Sequence, residues 1–195
     1  MVALKDRIIH EALRQFSSKG FMSTSISDIL ESAGASKGGL YNHFKSKEDL
    51  FFAALSEARK IWRQRNLAGL DHATRPLGKL KQILENYRDN YLADSENFPG
   101  GCVFVALAVE LHDQQPHLAR EVTEGFNRFR AMVKRLLDQE KAAGNLMHGV
   151  DTGMAAEIIF SGILGACVSY TSDKSKENLD HTINGLIDFL TMISR

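Results

Sequence analysis

Cysteine and proline are scarce in this chain, and each scarcity removes a class of protein. The 195 residues hold 2 Cys, Cys102 and Cys167, too few for a disulfide framework, so apolar packing must supply the core. That usage fits a reducing cytoplasm, the expected compartment. Only 3 Pro leave long stretches free to be helical. No uninterrupted apolar run approaches 18 residues, so neither a membrane-crossing helix nor membrane association is expected. The N-terminus lacks the apolar core of a signal peptide. There is no internal repeat and no low-complexity segment. Catalytic signatures are missing too: no Walker loop, no nucleophile elbow and no Cys-rich zinc pattern. Glu110, His112, Asp113 and His117 cluster around a turn, but their spacing matches no HExxH-type motif, and a solvated loop is the expectation there. No cofactor, metal or enzymatic activity is therefore expected.

Net charge is also missing, with 24 Lys+Arg against 24 Asp+Glu, yet its distribution is uneven. Residues 1–47 carry 7 basic and 4 acidic residues, a surplus of three. A basic end on a neutral chain suits phosphate binding by that end alone.

The most informative stretch is Ala33 to Phe44, AGASKGGLYNHF. Gly34 can take the left-handed conformation that closes one helix, and Ser36 is a good N-cap for the next. Two helices joined by a turn of about three or four residues form a helix-turn-helix. A helix from Lys37 to Phe44 would span roughly 12 Å, comparable to the width of a DNA major groove. Its residue types suit such a groove. Lys37 is a cation, Gly38 and Gly39 let backbone approach phosphate, and Tyr41, Asn42 and His43 offer hydrogen-bonding groups. Leu40 and Phe44, four apart, share the opposite, inward face.

Around this stretch the periodicity reads as about nine helices and an all-α fold. The first runs from about Ala3 to Lys19 and is closed by Gly20. Ser25-x-x-Asp28 and Ser46-x-x-Asp49 read as capping boxes that open the second and fourth. The fourth is long, through Leu50, Ala54, Leu55, Ala58, Ile61 and Trp62. Lys47 lies in its first turn, where the helix dipole disfavours a cation; a nearby phosphate would resolve the conflict. Further helices are expected at about Leu77–Ala93, Cys102–His112, Pro116–Ala143, Thr152–Tyr170 and Lys176–Ile193. The last two are broadly apolar, and Gly162 and Gly165 would allow a close helix approach.

The segment Thr24 to Leu50, TSISDILESAGASKGGLYNHFKSKEDL, resembles the signature of TetR-type transcriptional regulators, with a nearly gapless likeness from Leu4 to Leu55. The remainder is similar only in helical layout. The resemblance implies a three-helix DNA-binding domain at 1–47 and a helical ligand-binding and dimerisation domain at 48–195. It also implies a ligand-responsive regulator, a homodimeric repressor released from a palindromic double-stranded operator by a small apolar or electrophilic inducer. Thr24, Ser25, Ser36, Lys37, Gly38, Gly39, Tyr41, Asn42, His43 and Lys47 become the expected DNA-facing residues. Gly39 departs from the pattern, since many relatives carry a small hydroxyl residue there; without it, Tyr41 and Asn42 take more of the readout. The final two helices are expected to pair across a two-fold axis as a four-helix bundle.

An inducer pocket is expected in the second domain, with Trp62, Tyr87, Tyr91, Phe98, Cys102, Phe104, Phe126 and Phe129 as candidate linings; aromatics at helical spacing equally describe plain core. Cys102 follows Gly100-Gly101 at a helix start, where the dipole can lower a thiol pKa. The stretch GGCVFVALAVEL is similar to TetR-type regulators that sense electrophiles or oxidants through a cysteine near this place. Burial as a small apolar residue is the competing role, and Cys167 reads as structural. The alternative to a regulator is a small helical binding protein or enzyme with a vestigial DNA-binding domain.

Overall fold

Nine α-helices and one π-helical turn follow one another among residues 3–195, which the computed structural model describes. Met1 and Val2, the first residues of the domain drawn at 1–47, lie outside the described residues. The order is α1 (Leu4–Lys19), α2 (Ile26–Ala33), α3 (Lys37–Tyr41), α4 (Lys47–Asn66), α5 (Pro76–Asn86), a π-turn (Tyr87–Tyr91), α6 (Val103–Leu111), α7 (Pro116–Ala142), α8 (Thr152–Asp173) and α9 (Lys176–Met192). The expected order of helices is present.

Two spans differ from expectation. The third helix ends at Tyr41, not at Phe44. Two glycines in five residues lower its propensity by about 1 kcal/mol each, and the His43 N–H turns to the Leu40 carbonyl three residues back, tightening the chain out of the helix. The fifth does not continue as an α-helix to Ala93. After Asn86 the ladder widens, and the Leu92 N–H reaches the Tyr87 carbonyl five residues back at 3.0 Å. Local propensity gives no signal for this widening.

The chain divides into two compact units: Met1–Arg63 with Asp94–Ala119, and Gln64–Ala93 with Arg120–Arg195. In the first, α1 packs on α2, α3 and α6. Ile8, Leu13, Phe16, Ile29, Leu40, Leu50 and Phe51 are buried at its centre, and Phe21 closes on Phe16 and Phe51 with ring centroids 5.5 and 5.3 Å apart. The loop at 94–101 is sewn to α1. The Ser17 hydroxyl accepts from the Gly100 N–H and donates to the Gly101 carbonyl, and the Arg14 guanidinium donates to the Glu96 carbonyl. A Cβ on Gly100 would overlap the Ser17 backbone.

In the second unit α9 packs on α8 and α5. Gly162 serves the close approach expected of it, since a Cβ there would come within 2.6 Å of Leu186. Gly165 does not: it is exposed, and nothing lies within 4 Å of its missing Cβ. Glu140, fully buried, accepts from the Leu77 N–H (2.9 Å), the Asn145 amide (2.7 Å) and Arg75 (3.3 Å). Burial pushes its carboxyl pKa up, but these donors outweigh burial and hold it below the usual range. The Met147 N–H and the Ile193 carbonyl tie the 144–150 connection to the end of the chain.

Helix α8 is long and apolar enough to cross a membrane by length and composition, although the residues that make it so are not contiguous. Ala155, Ile159, Phe160, Ile163, Ala166 and Cys167 are buried in the protein. Glu157, in its second turn, is paired with Arg130 of α7 at 2.8 Å.

Candidate nucleic-acid interface

The turn between α2 and α3 has the geometry that its residue types call for. Gly34 sits in the left-handed region (φ 55, ψ 44), and its N–H and that of Ala35 close on the Glu31 and Leu30 carbonyls. The Ser36 hydroxyl then accepts the Gly39 N–H at 3.1 Å and starts α3. Leu40 and Phe44 are buried beneath and fix how α3 lies on its platform. With those two anchored, Lys37, Gly38, Tyr41, Asn42 and His43 are left exposed on the outer side; Tyr41 keeps 49% of its surface. Gly39 is half-buried, and a Cβ there would press on Leu4 at 3.1 Å. The position is thus confined on its inner side.

At the start of α2 the full capping box is present. The Ser25 hydroxyl accepts the Asp28 N–H, and the Asp28 carboxylate accepts the Ser25 N–H. That N–H, then the hydroxyl, hold the Asp28 pKa below its ordinary value. Ser25 is exposed beside this box. Thr24 is not: it is 1% exposed, and its hydroxyl donates to the Gly20 carbonyl at 2.7 Å, so its side chain faces inward. The second box is displaced by one residue. The Ser46 hydroxyl accepts the Asp49 N–H, but the Asp49 carboxylate takes the N–H of Lys45.

Lys47 is half-buried, with its ammonium 4.3 Å from the Phe21 ring centroid. Burial lowers its pKa, while the charge of Glu110 acts the other way. The cation placed against a helix dipole therefore has an intramolecular answer in a ring face and a carboxylate. Glu110 lies on α6, within the expected Cys102–His112 helix, and its spacing with His112, Asp113 and His117 gives no sign of the role it has. Its carboxylate accepts the N–H groups of Phe21 at 2.6 Å and Met22 at 2.9 Å. His117 pairs instead with Glu48 at 3.1 Å, and His112 with Asp113 at 3.8 Å; among the described residues no group of three such side chains could hold a metal.

The candidate ligand-lining residues fall in both units. Tyr87 and Tyr91, at the two ends of the π-turn, meet at 5.4 Å, and Tyr87 meets Phe129 at 5.8 Å. Phe129 and the half-buried Phe126 both pack on Phe160. Trp62, Phe98, Cys102 and Phe104 belong to the first unit. Phe98 and Cys102 are buried there, Cys102 at 7% exposure, whereas Trp62 and Phe104 are half-buried. An open cavity of about 440 Å³ in the second unit is lined by His72, Arg75, Leu77, Lys81, Ile187 and Leu190 among others, and by none of these eight residues.

The comparisons agree with the fold. A family described as "Bacterial regulatory proteins, tetR family" matches residues 8–54, and one described as "Tetracyclin repressor-like, C-terminal domain" matches residues 76–186. The fatty acid metabolism regulator protein of Bacillus subtilis is 21% identical over 184 residues, 94% of this chain and 92% of that protein. A TetR transcriptional regulator from Chloroflexus aurantiacus superposes with a TM-score of 0.89 at 28% identity, covering 98% of this chain and 96% of its own. A cysteine mutant of the TetR-family regulator CifR, solved with 26 bp of double-strand operator DNA, superposes at 0.79 with 19% identity, covering 94% of each chain.

Proposed function

The chain belongs to the TetR family and is a DNA-binding transcriptional regulator; on that premise we propose that it is a homodimeric repressor that leaves a palindromic operator when a small apolar inducer binds. The observation that carries the DNA reading is the surface at 36–43, polar and exposed outside, pinned by Leu40 and Phe44 inside. Lys37, Tyr41, Asn42 and His43 read base edges and phosphates from α3. Ser25, Ser36, Gly38 and Gly39 bring backbone and hydroxyl groups to phosphate, and Lys47 supplies charge at the rim. Thr24 supports the start of α2 from inside. Operator DNA in the CifR complex and the repressor-like description of the C-terminal family support this reading.

Functionally the division is residues 1–47 for DNA and 48–195 for ligand and dimer. The dimer forms through α8 and α9. Met154, Ile158 and Val168 lie on one exposed stripe of α8, with Met154 at 65% and Val168 at 55% exposure, and a two-fold contact would cover them. Two copies present two α3 helices to half-sites about 34 Å apart. In the second unit Tyr87, Tyr91, Phe126 and Phe129 are the inducer-contacting candidates. Packing on Ser17 accounts for Gly100, two residues before Cys102, and Cys102 itself is buried, which favours an apolar ligand over an electrophile taken up by this thiol.

A mobility-shift titration on DNA flanking the gene, at fixed salt and with a panel of apolar compounds and quinones, tests the reading. A specific shift that one compound abolishes is expected. Absence of any specific shift at every salt concentration would overturn it. Quinone-driven release that is lost in Cys102→Ser would replace the apolar inducer by thiol modification.

A further inference from the structure

We infer that Glu110 is a positioning residue for operator binding, a carboxylate on α6 that holds the turn from which α2 begins. The inference rests on the DNA-binding reading above and adds what sets that surface in place. A free carboxylate on a helix this close to another chain segment ordinarily points to water. This one accepts two consecutive main-chain N–H groups, Phe21 at 2.6 Å and Met22 at 2.9 Å. Such charge-assisted bonds are about twice as strong as neutral ones. The approach is built into the sequence, because Gly20 has φ 80 and a Cβ on it would lie 2.7 Å from the Glu110 carboxyl carbon.

What the carboxylate holds is the junction of three DNA-proximal features. Phe21 packs on Phe16 and Phe51 and lies under the Lys47 ammonium. Thr24 closes the same turn, its hydroxyl on the Gly20 carbonyl, and the next residue, Ser25, caps α2. The end of α1, the start of α2 and the first cation of α4 are thus all referenced to one side chain of α6. Hydrogen bonds of this length do not survive a slide of about 1 Å in one partner. The position of α6 therefore sets whether the turn is held, and the turn sets where α2 and Lys47 meet phosphate.

The full-length protein tests this with Glu110→Ala and Glu110→Gln. Amide exchange across residues 20–25 is measured by mass spectrometry, and binding to the flanking DNA by titration. Glu110→Ala should speed exchange at Phe21 and Met22 and move the DNA-binding midpoint by about ten-fold, equivalent to about 1.4 kcal/mol. Exchange in α8 and α9 should stay as in the wild type. Glu110→Gln, which keeps the volume and one acceptor, should fall between, and it decides the matter if Glu110→Ala fails to fold. With DNA titrated into a fixed amount of protein, a loss of folded protein alone would lower the bound signal at saturation without moving the midpoint, and that result would overturn the inference. So would unchanged exchange at residues 20–25, or faster exchange with an unmoved midpoint. If the wild type itself shows no specific shift, the regulator reading fails, whereas the exchange arm still reads the clamp by itself.

Discussion

Glu140 shows how much one side chain can hold without appearing in any motif. It is fully buried and serves three donors, Leu77, Asn145 and Arg75. Glu140→Ala would strand those donors and is expected to cost about 3 kcal/mol in a urea melt. Its carboxyl is held below the unfolded value of about 4.3, so its stabilisation is complete above that pH and fades as pH falls through the lower folded value. Glu140→Gln should therefore be less stable near neutrality, and its melting temperature should vary less with pH below about 5 than that of the wild type. Lys47 stands out in the sequence because its place in the first turn of α4 conflicts with the dipole, whereas its neighbours Phe21 and Glu110 do not. Lys47→Ala is expected to weaken specific and non-specific DNA binding alike and to reduce the salt slope by about one per subunit. An unchanged slope would assign Lys47 to the Phe21 ring alone. Glu140 and Glu110 were not legible, since Leu77 stands 63 residues from the first and Met22 88 from the second.

Local chemistry explains which elements could be read in advance. The caps at Ser25, Ser36, Asp151 and Ser175 each use a donor within three residues, so the sequence carries the whole signal. The shortened α3 follows from its two glycines and the turn at His43, whereas the π-turn has no local signal, and periodicity gives no sign of either. Two glycines separate local from distant constraint. Gly34 has left-handed φ and nothing within 4 Å of a Cβ, so Gly34→Ala should cost about 1 kcal/mol from backbone strain alone. Gly100 has no unusual φ, but a Cβ would overlap the Ser17 backbone. Gly100→Ala should cost about 3 kcal/mol, as overpacking does, and should expose the Gly100 amide to exchange. Equal melting temperatures for the two variants would show that the loop is free to move off α1.

At the scale of the whole molecule, the all-α class and the N-terminal motif followed from composition and from one 27-residue segment, Thr24 to Leu50. The discontinuous make-up of the first unit did not, because it depends on contacts between α1 and α6. The exposed stripe of α8 is where assembly is tested. Ile158→Glu places a charge on the proposed two-fold contact, and sedimentation should then show a monomer with unchanged helix content. A variant that remains dimeric would put the interface on another face.

The first unit is completed by residues 94–119, which cover and hydrogen-bond α1 after thirty intervening residues have gone to the other unit. Synthesis from the N-terminus therefore makes the DNA-binding helices well before the segment that finishes them. A nascent chain ending near residue 63 has Phe21 and Met22 amides with no carboxylate to meet and a Ser17 side chain with no loop to close on. The ribosome must deliver α6 before that unit can settle, so a slow stretch of translation between α4 and α6 would prolong the time that this surface spends open to chaperones and proteases.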